Sequence, residues 1–304
     1  MISPPPPNQK APNLPHKSDN LLAIWWILLS VVGSSAMSVA VRDMSAQLDA
    51  QMIVFLRSIM ATGLILLGMV FFARFRRQMR FSQPLRHLLR GTLIGSSTYF
   101  GFYAIAHLPM ATVTVLFFLA PIWATLLAIL IHKERVGIRR FLAIAVGFVG
   151  ALVILRPGVG SFEPAMFSAL GSSVLFALAL TMSRGLARED GAASVYFSSV
   201  VITAMLSLPF AWPVMALPAD PRGYLALTII VVGGIARGYA DIEAYRHGEA
   251  SILAPITYLR LVLIGGAAYF LYQEVPDSYT IIGGIIVITA TLYIAIRESR
   301  LKRR

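Results

Sequence analysis

Residues 111–134 read "ATVTVLFFLAPIWATLLAILIHKE". From Ala111 to Ile131 the stretch carries no charge, and it closes on the charged loop "HKERVGIRR". About 20 mostly apolar residues are what a helix needs to cross a bilayer. Pro121 lies in the middle of this one, and proline removes a backbone donor, so the helix should bend there. Working outward, nine further apolar stretches have comparable character. The ten predicted spans are 21–41, 52–72, 91–106, 111–131, 141–155, 165–183, 194–213, 223–245, 250–272 and 278–296. The third and fifth need flanking residues to reach across. Hydrophobic residues make up 57% of the 304 and charged residues 13%, against about 25% charge in a soluble domain. The fold class is therefore an all-α integral membrane protein with ten transmembrane helices.

The placement of charge sets the topology. Of the 26 Lys and Arg, 20 fall in segments that share a side with the N-terminus. Arg42, Arg156 and Arg222 fall on the other side, and Arg57, Arg237 and Arg260 lie within spans. That bias predicts both termini in the cytoplasm and a multi-pass protein of the inner cell membrane. It also accounts for the net charge of +12 with no nucleic-acid partner. Residues 1–20, rich in proline, read as a disordered cytoplasmic tail, and residues 297–304 as a basic cytoplasmic tail. Trp25, Trp26 and Trp212 lie near span ends, where interfacial anchors are expected.

Several chemistries find no residues to carry them. There is no cysteine, and the five histidines are scattered, so no metal site is expected. Neither a phosphate-binding glycine loop nor a nucleophile elbow is present. No cofactor is expected and the chain does not read as an enzyme. A membrane-embedded enzyme would gather His, Asp or Glu at one face, whereas Asp43, Asp49, Glu163, Asp220, Glu274 and Asp277 are dispersed over the outer loops. The alternative to a carrier is a channel or a non-transporting membrane subunit.

Ten spans divide into five and five, 21–155 and 165–296, and an odd number per half turns the second half upside down in the membrane. An offset of 139 aligns spans three and four with eight and nine. Ala111 then meets Ala250, Pro121 meets Arg260, and Glu134 meets Gln273, next to Glu274. Inverted repeats mark secondary transporters, with the substrate near mid-membrane between the halves.

The opening stretch, its Gly-rich successor "FLAIAVGFVGALVIL", and "EASILAPITYLRLVLIGGAAYFLYQEVPDSYTIIGGIIVI" in the second half resemble the EamA type of the drug/metabolite transporter superfamily. In the second half the matching residues are Ala250, Pro255, Tyr258, Glu274, Pro276 and Gly283. The resemblance covers about residues 21–296. It implies a ten-helix basket around a central cavity lined by spans 1, 3, 4, 6, 8 and 9. It also implies alternating access without ATP and a small polar cargo such as an amino acid, nucleotide sugar or vitamin. Arg260, where the first repeat has Pro121, departs from the family's pattern.

Charges within the spans are the site candidates. Arg260 sits near mid-membrane, where a charge costs roughly 2.5–3.5 kcal/mol on insertion scales. It either binds an anionic group of the cargo or locks two helices together. Arg237 and Asp241, four apart in "GGIARGYADIEAYRHGEAS", either face the cargo or neutralise each other for insertion. Asp241 and Glu243 are the proton-coupling candidates, with Glu243 closer to the interface. Arg57, six residues into span two, snorkels outward, pairs with Asp49 or closes an outer gate. Tyr99, Tyr103, Tyr258 and Trp123 are candidates for contact with cargo. Pro121 and Pro255 are expected to bend their helices. Gly91/Gly95 and Gly234/Gly238 have the spacing that lets helices approach closely. The predicted function is secondary-active transport of a small polar, anionic or zwitterionic metabolite, with proton coupling through Asp241 as one route. The partners are that small molecule and the lipid bilayer, and a homodimer is left open.

Overall fold

The computed structural model describes residues 20–132, 138–156, 163–248 and 250–302. The proline-rich segment, apart from Asn20, and residues 133–137 of the charged loop lie outside them. Thirteen α-helices follow in order: α1 (Asn20–Met44), α2 (Ala50–Phe71), α3 (Ala73–Gln78), α4 (Pro84–His107), α5 (Met110–Phe117), α6 (Ala120–His132), α7 (Ile138–Leu155), α8 (Pro164–Asp190), α9 (Ala192–Ala211), α10 (Pro221–His247), α11 (Ala250–Thr257), α12 (Leu259–Tyr272) and α13 (Ser278–Lys302). A 3₁₀ turn at Trp212–Val214 follows α9.

These make ten passes, because α5/α6 and α11/α12 are each one interrupted span. Eight passes are long and apolar enough to cross a membrane by length and composition. α7 contributes the shorter apolar stretch Phe141–Leu155. α4 has 24 residues, about 36 Å of helix. It begins seven residues before the apolar run that predicted it. Proline at its first turn has no amide to satisfy and starts a helix well, so Arg86 and Arg90 fall inside the helix rather than in a loop. Pro164 and Pro221 start α8 and α10 in the same way. At α10, Asp220 caps the helix by accepting from the Gly223 amide at 2.7 Å. At the other end of the chain, α13 runs to Lys302, so the basic segment 297–302 continues the last helix.

The first interruption falls at Phe118–Leu119, just ahead of Pro121, whose missing amide leaves the carbonyl of Phe117 without its helical donor. The second falls at Tyr258, three residues beyond Pro255. Adding the 139-residue offset to Leu119 gives Tyr258, so the repeats break at equivalent places. The two breaks touch: the Phe118 and Tyr258 rings meet edge to face with centroids 4.7 Å apart.

Packing follows the same correspondence. α1 lies along α10 and α4 lies along α8, two pairings that exchange when the halves are swapped. α2 packs on α9 and α7 on α13, each helix against its own counterpart. The α7–α13 pairing includes a close approach at glycine: a Cβ on Gly150 of α7 would lie 3.0 Å from the carbonyl oxygen of Gly283 in α13. At the α1–α10 crossing, a Cβ on Gly233 would lie 2.8 Å from the Gly33 carbonyl oxygen, and one on Gly33 2.9 Å from that of Gly233. Gly91 and Gly95 admit Ile202 and Thr203 of α9. Gly234 and Gly238, read from spacing as a helix–helix contact, face the side chains of Arg57 and Tyr196 instead.

At the end of the bundle that carries both chain termini, α4, α8 and α9 are tied by buried polar groups. His87 contacts Asp190 through Nε2 at 2.9 Å and Ser198 through Nδ1 at 2.8 Å. Burial alone would raise the Asp190 carboxyl. Its hydrogen bonds with His87 and Ser82 outweigh that effect and hold its pKa below the ordinary carboxylate value.

Candidate functional site

The halves enclose a chamber of about 470 Å³, within the range of small-molecule sites. Its wall draws on eight passes. α1 gives a serine stripe, Ser30, Ser34 and Ser38, each four residues on from the last. α4 gives Arg90, Ile94, Ser97, Gly101 and Ile105. α6 gives Pro121 and Ala124, and α8 gives Ser172, Ser173, Phe176 and Ser183. α10 gives Arg237, Asp241 and Tyr245, and α11 and α12 give Thr257 and Arg260. The resemblance left out the other two contributors, α2 with Arg57 and α9 with Tyr196, Ser199 and Thr203.

Five arginines and one aspartate therefore border one space, Arg246 at its rim and Arg57, Arg90, Arg237 and Arg260 deeper in. Asp241 accepts a hydrogen bond from Ser30 Oγ, and Arg237 Nε lies 3.7 Å from its carboxylate. Arg260 donates from Nη2 to Ser38 Oγ at 3.1 Å and lies over the Phe117 ring at 5.6 Å. Its Nε has no hydrogen-bond partner. Arg237 is within electrostatic reach of both Arg57 and Arg260. Among the described residues no carboxylate forms a salt bridge with Arg57, Arg90 or Arg260.

Helix counting at about 1.5 Å per residue orders these groups in depth. Arg90 and Asp241 lie about 9 Å in from the terminus-bearing end, and Arg237 and Arg260 about 15 Å in. Arg57 lies about 10 Å from the opposite end of its helix. At the terminus-bearing end the wall runs out to Tyr245 and the exposed Arg246. The opposite end is strapped shut. Arg42 donates to the carbonyls of Ile105 at 2.9 Å and Ala106 at 3.1 Å, and pairs with Glu274 at 2.9 Å. Glu274 in turn accepts from the Met110 amide at 2.9 Å. One ion pair thus joins the ends of α1, α4, α5 and α12.

The other sequence candidates fall as follows. Arg57 is not near the outer surface: it is 8% exposed and faces the chamber, because α2 begins at Ala50 and burial by α9 and α10 leaves no route outward. Glu243 does not line the chamber; it is buried against Arg246 at 3.3 Å and His247 at 3.2 Å. Tyr99 and Tyr103 do not line it either. The α4 residues that do are 90, 94, 97, 98, 101, 102 and 105, and at about 100° per residue the tyrosines lie on the helix face away from the centre of that stripe. Tyr99 lies beside Phe210, and Tyr103 stacks on His107. Trp123 sits behind the wall, donating to Ser173 Oγ at 3.0 Å, and Tyr258 sits at the helix break. Pro121 lines the chamber and Pro255 does not.

Three features escaped the sequence reading. Arg90 is buried, donating to Ser183 Oγ at 2.8 Å, to Ser199 Oγ and to the Val195 carbonyl. Arg42 read as an ordinary outer-loop cation. The serine stripe of α1 was legible as "SVVGSSAMS", residues 30–38 of a greasy span, since polar residues at four-residue spacing share a face.

A ten-pass helical bundle around a chamber that carries buried charged groups on a largely apolar wall, built from two matched halves, has the architecture of a membrane transport protein. The chain belongs to the EamA-like transporter family, which matches residues 21–156 and again 163–296. It is similar to the S-adenosylmethionine uptake transporter of Rickettsia felis, 30% identical over 93% of this chain and 96% of that protein. It is also similar to the pseudopaline exporter CntI of Pseudomonas aeruginosa, 30% identical over 88% and 94%, and to the riboflavin transporter of Vibrio cholerae, 27% identical over 75% and 77%. A solved crystal structure superposes with a TM-score of 0.64 at 19% identity, covering 92% of this chain and 98% of that one, which shows the shared fold. The protein is a multi-pass membrane transporter of a small metabolite, and not an enzyme.

Proposed function

We propose that the protein is a secondary-active carrier working by alternating access, and that its cargo is a small polar metabolite with at least one anionic group seated on Arg260. The observation that carries this reading is Arg260 itself. A guanidinium at mid-membrane that, among the described residues, has one serine as hydrogen-bond acceptor, an aromatic face beneath it and Asp241 only as a more distant charge is an electrostatic cost with little internal repayment. An anionic cargo group supplies the missing partner. Asp241, the acid in the wall, is placed to receive an ammonium of a zwitterionic cargo or the coupling proton. Protonating it would release Arg237 to the cargo. Arg42–Glu274 closes the far end and is the strap that must break for the chamber to open there. With the basic segments inside, both termini are cytoplasmic, the membrane is the inner cell membrane, and this conformation faces the cytoplasm.

Counterflow in proteoliposomes tests the reading. A thermal-shift panel that includes S-adenosylmethionine and riboflavin, the cargo of relatives, selects a ligand. Vesicles preloaded with that ligand are then challenged with its labelled form. A carrier gives saturable uptake, accelerated several-fold by the preload. Uptake that rises linearly with concentration and ignores the preload would mean a channel.

A further inference from the structure

We propose that the chamber holds a second anion subsite, formed by Arg57 and Tyr196, and that the cargo is accordingly a dicarboxylate. The inference rests on the reading of Arg260 as the first anion partner.

Arg57 is 8% exposed and Tyr196 7% exposed, and both border the chamber. They lie side by side, yet Arg57 Nε and the Tyr196 hydroxyl each lack a hydrogen bond of acceptable geometry. The Arg57 guanidinium lies over the Phe102 ring at 5.8 Å, but a buried charged N–H and a buried hydroxyl without hydrogen bonds are both costly. The helix opposite is cut to fit them. On α10, Gly234 and Gly238 are one turn apart. A Cβ on Gly234 would fall 2.6 Å from Arg57 Nε, and one on Gly238 would run into the Tyr196 ring. Two buried donors thus sit over two notches in a wall that borders the chamber.

The remaining cations have their own partners. Arg90 is satisfied by Ser183, Ser199 and the Val195 carbonyl. Arg237 has Asp241, and Arg246 has Glu243. Arg57 and Arg260 are left over. Their Cα positions differ in depth by about 6 Å on helix counting, and Arg237 is within reach of both. The cations are strung along the chamber rather than gathered at one point, which suits two acidic groups on one molecule. Asp241 with Ser30 then faces an amine on the side toward the mouth.

The test uses purified full-length protein in nanodiscs and ligand-dependent thermal shifts. The probes are straight-chain α-amino dicarboxylates of four to eight carbons, each against the α-amino monocarboxylate of equal length. At least one dicarboxylate is expected to bind about tenfold or more tightly than its monocarboxylate counterpart. Arg57→Gln and Tyr196→Phe should erase that preference, so that each dicarboxylate binds no more tightly than its monocarboxylate counterpart in the same variant. Arg57→Lys should keep part of it. Without ligand, Arg57→Met should melt no lower than wild type, since it removes an unanswered charge. A wild-type protein with no preference for any dicarboxylate, or an Arg57→Gln variant that keeps the preference, would overturn the second subsite. An Arg260→Gln variant with every affinity intact would instead overturn the carrier site on which it rests.

Discussion

Arg260→Ala should abolish measurable transport in proteoliposomes while leaving the empty protein at least as heat-stable as wild type. Removing one partner of a desolvated charged pair costs about 2–5 kcal/mol of binding, which is about 30-fold to several thousand-fold in affinity. The second half of the expectation separates two roles. An arginine that locks helices together would, once truncated, leave its acceptors unsatisfied and lower the melting temperature. Arg260 has one side-chain hydrogen bond, to Ser38, and an unpartnered Nε. Taking the charge away therefore removes more desolvation cost than contact energy. A variant that transports normally, or one that loses transport only because it has lost its fold, would remove Arg260 from the site.

The second large effect is mechanical. Gly233→Leu is expected to prevent accumulation of folded protein at the membrane, or to lower its melting temperature by more than any substitution in the chamber. At this crossing α1 and α10 meet backbone to backbone, and a bare Cβ on Gly233 already falls 2.8 Å from a carbonyl oxygen that cannot move aside. Overpacking a filled interior costs typically about 1–3 kcal/mol, and here the whole α1–α10 interface would have to part. Gly265→Leu on α12 is the control, because no atom lies within 4 Å of its added Cβ. Equal yields and melting temperatures for the two variants would contradict the close approach.

The reach of the sequence can be judged residue by residue. The passes were legible because hydrocarbon thickness imposes a length on each of them. The break at Phe118–Leu119 was legible because Pro121 lacks a donor, whereas Pro255 lies inside α11 and the second break falls beyond it at Tyr258. The offset of 139 that pairs Leu119 with Tyr258 came from the repeat pattern alone. Arg90 was lost because the apolar run was taken as the helix, whereas the helix starts seven residues earlier, about two turns, at Pro84 and carries its charges inward. Arg57 was placed at the outer surface because depth was counted along one helix, with no knowledge of which helices cover it. Tyr99 and Tyr103 were offered for their chemistry, and only the rotation of α4 shows that its chamber face is the one bearing Ser97. Gly234 and Gly238 have the spacing of a helix contact, but the atoms they admit are side chains from α2 and α9, elements distant in sequence. Periodicity reports which residues share a face; only packing reports what that face meets.

The most direct measurement exploits the absence of cysteine from the chain. Single cysteines at Ser34, Ala124 and Thr257, from three helices that line the chamber, are compared with cysteines at Val32 and Val262, which are 57% and 71% exposed on the bundle's outside. Each is treated in the membrane with a charged, membrane-impermeant thiol reagent. A shared wet chamber predicts that Ser34→Cys, Ala124→Cys and Thr257→Cys all react, while Val32→Cys and Val262→Cys, facing lipid, do not. Chamber positions as unreactive as the two lipid-facing ones would mean that the buried arginines border no common aqueous space.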